Sequence, residues 1–192
     1  ALEDTDRIHG RTALVRNVAA AVSLSNAVRS TLGPRGLDKM LVNESGEAIV
    51  TNDGVTVLET ARVEHPTANL LIASSSLQDK SARDGTTTTV ILMAEMLQNS
   101  LELVRSGIHP SIITKGYRIA NQEALKEIES LARVAGDKKL RHSVVTTSLQ
   151  GKIDSLLSSH LTELALEAAD SLLDEEGGND LERLRIKRLQ IS

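Results

Sequence analysis

The sequence predicts a mainly α-helical fold carrying one small β-hairpin, and three observations lead there. Apolar residues recur at helical spacing over most of the 192 positions. The chain has one Tyr, no Phe and no Trp, so a core must be built from Leu, Ile, Val and Ala, which suits packed helices. One segment, Met40 to Thr51, instead shows two short apolar runs around a glycine-bearing loop, the pattern of a hairpin.

From about Arg11 to Thr31, Leu14, Val15, Val18, Ala21, Val22 and Val28 lie at helical spacing, and Leu32-Gly33-Pro34 stops the helix because the residue before proline avoids helical angles. Met40-Leu41-Val42 and Ala48-Ile49-Val50-Thr51 flank the loop Asn43 to Glu47. Thr51-Asn52-Asp53-Gly54 is a further turn, and a helix resumes from Val55 to Arg62. His65-Pro66 opens another, Thr67 to Lys80, with proline tolerated in the first turn. After the polar stretch Asp79 to Gly85, Thr87 to Val104 is apolar on most faces and predicts a buried helix. Gly107-Ile108-His109-Pro110 breaks it.

A long amphipathic helix follows, striped by Ile113, Tyr117, Ala120, Ala124, Ile128, Leu131 and Ala135, and ends at Gly136-Asp137. A shorter helix runs to Leu149, and Gln150-Gly151 is a joint. The last helix spans Ile153 to Leu173, followed by an acidic, glycine-bearing loop from Asp174 to Asp180 and a strand starting in Leu184 to Ser192. A domain change fits best between Val134 and Asp137.

Composition narrows the function. The net charge is −4, basic residues are scattered, and there is no aromatic platform for bases, so no nucleic-acid partner is expected. There are no cysteines, which removes disulfides and thiolate chemistry and fits a reducing compartment. No apolar run approaches the roughly 20 residues of a membrane span, so no membrane partner is expected either. Asn43-Glu44-Ser45 matches a glycosylation acceptor, but no signal-peptide pattern precedes it. The chain begins with Ala1, as a processed or trimmed piece would. The five histidines show no metal-binding spacing, and neither G-x-x-x-x-G-K-[ST] nor G-x-G-x-x-G occurs.

Three polar joints interrupt otherwise good helix or strand pattern. In Asp84-Gly85-Thr86-Thr87-Thr88-Thr89, a helix start offers backbone N–H groups and hydroxyls to a phosphate. Asp84 offers a hard oxygen for Mg²⁺. The competing reading is an ordinary Asp or Thr helix cap, which needs no ligand and is favoured when the segment is taken alone. In Thr51-Asn52-Asp53-Gly54, Asp53 either stabilises its own turn or, if the turn faces Asp84, orients the water that attacks a phosphate. Leu32-Gly33-Pro34 is either a helix stop or a close backbone approach to a nucleotide.

TLGPRGLDKMLV (Thr31 to Val42), TNDGVTVL (Thr51 to Leu58), VEHPTANLL (Val63 to Leu71) and DGTTTTVILMAEML (Asp84 to Leu97) resemble group II chaperonin subunits. So do SGIHPSIITKGY (Ser106 to Tyr117) and TTSLQGKI (Thr146 to Ile153). These are the subunits of the archaeal thermosome and the eukaryotic cytosolic chaperonin. The resemblance implies the N-terminal half of an equatorial ATP-binding domain over residues 1–135. Residues 136–192 would be the first intermediate-domain segment, leading toward an apical domain. It implies a cytoplasmic ATPase that assists unfolded client proteins in a double ring with other chaperonin subunits, using ATP and Mg²⁺.

Carried over by position, Leu32, Gly33 and Pro34 would line the nucleotide. Gly85, Thr86, Thr87 and Thr88 would hold its phosphates, Asp84 would ligate Mg²⁺, and Asp53 would help place the attacking water. Gly151 and Lys152 match a Ser-Lys pair near the nucleotide, with Lys152 a γ-phosphate contact.

Two residues depart from the family pattern. Arg83 stands where glycine usually precedes the metal-binding Asp, and is strained if that position needs positive φ. Gly151 replaces an expected serine. The resemblance implies a further carboxylate for hydrolysis in a returning segment beyond Ser192, so residues 1–192 alone are expected to show little ATPase activity. The alternative is a chaperonin-like scaffold or interaction subunit with weakened or lost turnover, of which Arg83 would be the symptom.

Overall fold

The computed structural model describes residues 10–42, 46–60, 63–134, 136–151 and 153–171. Along these the order is α1 (Gly10–Arg29), β1 (Lys39–Val42), β2 (Ala48–Thr51), α2 (Gly54–Thr60), α3 (Pro66–Ala82), α4 (Thr86–Arg105), α5 (Pro110–Leu131), α6 (Lys138–Leu149) and α7 (Ser155–Asp170). The described residues are mainly helical with one antiparallel hairpin, as the sequence predicts. The chain divides into two compact units between Ser130 and Leu131.

The core of the first unit is made where α1 to α4 meet. Ala21, Leu24 and Val28 of α1 pack with Val57 and Leu58 of α2, Ala68 and Leu71 of α3, and Val90 and Ala94 of α4. On α1 these positions lie three and four apart, so one stripe faces inward. The alanines at the contacts (Ala21 and Ala68 fully buried) let helix backbones approach closely where no aromatic ring is available to fill space. Burying a side chain such as Leu58 contributes about 2 kcal/mol. Ser25 is fully buried on the same face, and its Oγ has no hydrogen-bond partner among the described residues. Arg29 and Glu95 pair across α1 and α4 at the surface.

Glycine and proline account for the punctuation. α1 gives way at Ser30, and Gly33 takes φ +85° while Leu37 N returns to Ser30 O at 2.8 Å. α3 starts on Pro66 at its first position, where the missing N–H costs no helical bond. Its cap is His65, whose Nδ1 accepts from Thr67 N at 3.2 Å. His109 repeats the arrangement before Pro110, accepting from Ser111 N at 3.2 Å. In the hairpin, Met40 pairs with Val50 and Leu41 with Ile49. Leu41 turns toward the core, whereas Met40, Val42 and Val50 stay largely exposed.

One expectation needs correction. α4 is not buried all round: Val90, Ala94 and Leu101 are, but Leu92 is 57% exposed. The α5 stripe is amphipathic as predicted, yet of its residues Ile113 is buried and Tyr117 half-buried, whereas Ile128 and Leu131 are 62% and 75% exposed. Periodicity shows that a helix has an apolar face, not that something covers it. Tyr117 pins the start of α5, its hydroxyl donating to Met96 O at 2.8 Å and lying 3.0 Å from Ser100 Oγ.

The second unit holds α6 and α7. Asp137 caps α6 through Lys139 N at 3.3 Å, and Arg141 Nη1 donates to Asp170 Oδ1 at 2.6 Å. Thr162 and Leu166 are its buried residues on α7. Ala135, the acidic loop and the strand expected at Leu184 to Ser192 lie outside the described residues. No helix among the described residues is long and apolar enough to cross a membrane.

Candidate functional site

The joint between α3 and α4 consists of three residues, each held differently. Arg83 closes α3 in the left-handed region, at φ 54° and ψ 19°, with its N–H on Asp79 O at 2.8 Å. It is the one non-glycine residue with positive φ among those described. Its guanidinium pairs with Asp79 Oδ2 at 3.3 Å. Asp84 follows with an exposed carboxylate whose Oδ1 accepts from Gly85 N at 2.7 Å. Gly85 is again left-handed, at φ 79° and ψ 11°, and is the N-cap of α4.

That geometry corrects the capping reading. The N-cap is a glycine with no side-chain cap, and neither Asp84 nor a threonine takes the role. The N–H groups of Thr86, Thr87 and Thr88 sit in the first turn, where a helix has no acceptors of its own. The start of α4 therefore carries uncapped donors and the positive end of the helix dipole. α3 holds it in place: Gln78 Nε2 donates to Asp84 O at 3.0 Å and Ser75 Oγ to Thr86 O at 3.3 Å. Thr86 and Thr87 are buried, Thr88 is exposed, and the Thr89 hydroxyl bonds back to Gly85 O at 2.8 Å.

The turn containing Asp53 meets this helix start. Gly54, the first residue of α2, lies so close to α4 that an added Cβ would stand 2.2 Å from Thr87 Oγ1 and 3.3 Å from Thr86 Oγ1. Asp53 immediately precedes Gly54. Its Oδ2 accepts from Thr56 N at 2.9 Å and Thr56 Oγ1 at 2.6 Å, so Asp53 caps α2, and Oδ1 has no bond from a described residue. Asp53 and Asp84 thus belong to two different loops, one meeting the buried threonines through Gly54 and the other leading directly into α4.

Leu32, Gly33 and Pro34 are exposed in the loop after α1. A Cβ on Gly33 would meet nothing within 4 Å, whereas one on Gly36 would collide with Thr31 O at 2.2 Å. No hydrogen bond among the described residues joins this loop to Asp84 or the threonines. Gly151, at φ 78°, belongs to the second unit. Lys152 lies outside the described residues. Among the described residues no cluster of three His, Asp or Glu side chains could hold a metal ion by itself. A lone exposed carboxylate such as Asp84 suits Mg²⁺ carried in on phosphates, since that ion keeps most of its waters and takes one or two protein carboxylates.

Reading by sequence missed Gly54, Ser75 and Gln78 as parts of this site. Gly54 was visible as a turn glycine, but its contact with Thr87 spans the chain and leaves no local signal. Ser75 and Gln78, three apart on α3, share a face that periodicity marks as polar and no more.

The sequence profile of the TCP-1/cpn60 chaperonin family matches residues 24–192. A thermosome subunit of Methanothermococcus thermolithotrophicus is 40% identical over 188 residues, covering 97% of this chain and 35% of that protein. The thermosome subunit beta of Thermoplasma acidophilum is 39% identical over 193 residues, 98% of this chain and 36% of that protein. The thermosome subunit beta of Archaeoglobus fulgidus is 41% identical over 178 residues, 92% and 33% respectively. The chain therefore spans about a third of the length of these relatives.

Proposed function

The chain belongs to the TCP-1/cpn60 chaperonin family, and from that premise we propose that it supplies the phosphate-binding half of an ATP-hydrolysing chaperonin subunit. The observation that carries this reading is the contact of Gly54 with Thr87, which joins the Asp53 turn to the uncapped start of α4. Phosphoryl transfer asks for positioning and charge neutralisation more than for covalent chemistry. This arrangement offers both.

In this reading the N–H groups and hydroxyls of Thr86, Thr87 and Thr88, with Gly85, hold the phosphates. Asp84 ligates Mg²⁺, which when bound neutralises phosphate charge. Asp53 Oδ1, without a bond from the described residues, orients the attacking water, while Thr56 fixes Oδ2. Leu32, Gly33 and Pro34 line the nucleotide, where the open space over Gly33 admits close backbone approach. By their position in the family pattern, Gly151 and Lys152 belong to the nucleotide site, with Lys152 a γ-phosphate contact. Residues 1–135 belong to the equatorial domain and 136–192 to the intermediate segment.

The subunit works in the cytoplasm, in a double ring with other chaperonin subunits, on unfolded clients. The exposed apolar hairpin face, Met40, Val42 and Val50, supports association with a neighbouring subunit, because such surface is costly to leave in water. The left-handed Arg83 favours a second reading, a scaffold subunit with lost turnover, since it strains the metal loop. ATP hydrolysis by the assembled protein, with and without Asp84→Ala, separates the two. Turnover abolished by the substitution supports the ATPase, and absent turnover in the unmodified protein supports the scaffold.

A further inference from the structure

The pairing of Arg83 with Asp79 is loose. The Arg83 side chain is 78% exposed, and its Nη1 reaches Asp79 Oδ2 at 3.3 Å, one turn back on α3. An exposed pair of this kind contributes little and exchanges readily. Arginine nevertheless occupies a left-handed position that glycine adopts without strain. The next residue is Asp84, and Gly85 then opens the uncapped helix. Arg83 and Gly85 are two peptide steps apart, so their Cα atoms are separated by at most about 7.6 Å. An extended arginine covers that span.

We propose that Arg83 is a further phosphate-binding residue of this site, and that Asp79 is its resting counter-ion. The proposal rests on the nucleotide reading above and adds to it one specific positive charge. When a nucleoside triphosphate binds, the guanidinium leaves Asp79 Oδ2 for the phosphate, two of whose oxygens accept from its planar fork of donors. Asp79 and the phosphate then compete for one cation. Asp79 lowers affinity when Arg83 is present and has no such effect when it is absent. A merely structural Arg83, closing α3 through its backbone N–H, would produce no such dependence of one residue on the other.

The test is calorimetric titration of MgATP into the assembled full-length protein at two salt concentrations. Arg83→Gln should weaken binding about tenfold at low salt and less at high salt, since screening removes part of the charge contribution. Arg83→Lys should keep binding within about threefold of the unmodified protein, because the charge remains. Asp79→Asn should tighten binding a few-fold with Arg83 present and change nothing in the Arg83→Gln background. Equal affinity of Arg83→Gln and the unmodified protein, or the same effect of Asp79→Asn in both backgrounds, overturns the proposal and leaves the nucleotide reading intact. An unmodified protein that binds no MgATP overturns both.

Discussion

Gly54 and Thr87 share one small space: a Cβ built on Gly54 would stand 2.2 Å from Thr87 Oγ1 and 3.3 Å from its Cβ. The contact ties the first residue of α2 to the first turn of α4, and with it the Asp53 loop to the Asp84 loop. Gly54→Ala should therefore cost about 1–3 kcal/mol by overpacking. It should also displace the threonine. Removing the obstructing hydroxyl and methyl with Thr87→Ala in the same chain should restore most of the unfolding midpoint but not MgATP affinity. The comparison is a double-mutant cycle read by thermal unfolding and by calorimetry.

Arg83 is held at φ 54° by the end of α3. Arg83→Gly should raise stability by about 1 kcal/mol, because glycine adopts this conformation freely and the exposed ion pair to Asp79 contributes little. Arg83→Ala removes the same ion pair and keeps the Cβ, so it should bring no gain. Urea unfolding midpoints of the two variants decide between backbone strain and charge as the origin of the effect.

Ser25 is fully buried with an unpartnered hydroxyl. Ser25→Ala should stabilise the protein by about 1 kcal/mol, since the desolvated hydroxyl has nothing to lose and the apolar neighbours remain. A lower unfolding midpoint would mean that the hydroxyl has a partner after all.

His65 caps α3 with a ring nitrogen rather than with the usual small oxygen side chain. His65→Asn should preserve the cap, and His65→Ala should cost about 1 kcal/mol in urea unfolding. Equal stability of the two variants would show that the cap contributes nothing beyond what Pro66 already provides.

These residues also show how far the sequence could be read. Gly33-Pro34, Asp53-Gly54 and Asp84-Gly85 were legible because glycine and proline interrupt strong helical patterns, and interruption is a local signal. The two histidine caps were not, since histidine before proline has no special standing among capping residues. The Gly54 and Thr87 contact was not legible either: two residues far apart in the chain need tertiary structure to meet. Asp84 looked like a cap because carboxylates commonly are, but Gly85 carries the left-handed turn and leaves Asp84 one position too early. On α5, the spacing of Ile113, Ile128 and Leu131 foretold an apolar face. Its exposure beyond Tyr117 depends on neighbours that periodicity does not describe.

The hairpin offers a test of assembly separate from the nucleotide. Val50 is 60% exposed and faces Met40 across the strands. Val50→Asp should leave the fold of the subunit unchanged, as judged by circular dichroism, and weaken association of subunits in sedimentation. Unaltered assembly would place the subunit contact elsewhere.

If the start of α4 holds Mg-ATP, nucleotide binding by the full-length protein must depend on Asp84. Calorimetric titration of ATP with and without Mg²⁺ should show metal-dependent binding that Asp84→Ala weakens at least tenfold. The fold should be unchanged, because Asp84 is exposed and its carboxylate bonds the adjacent Gly85 N. Binding of equal strength in the Asp84→Ala protein, or none in the unmodified one, would mean that the start of α4 is not a Mg-ATP site.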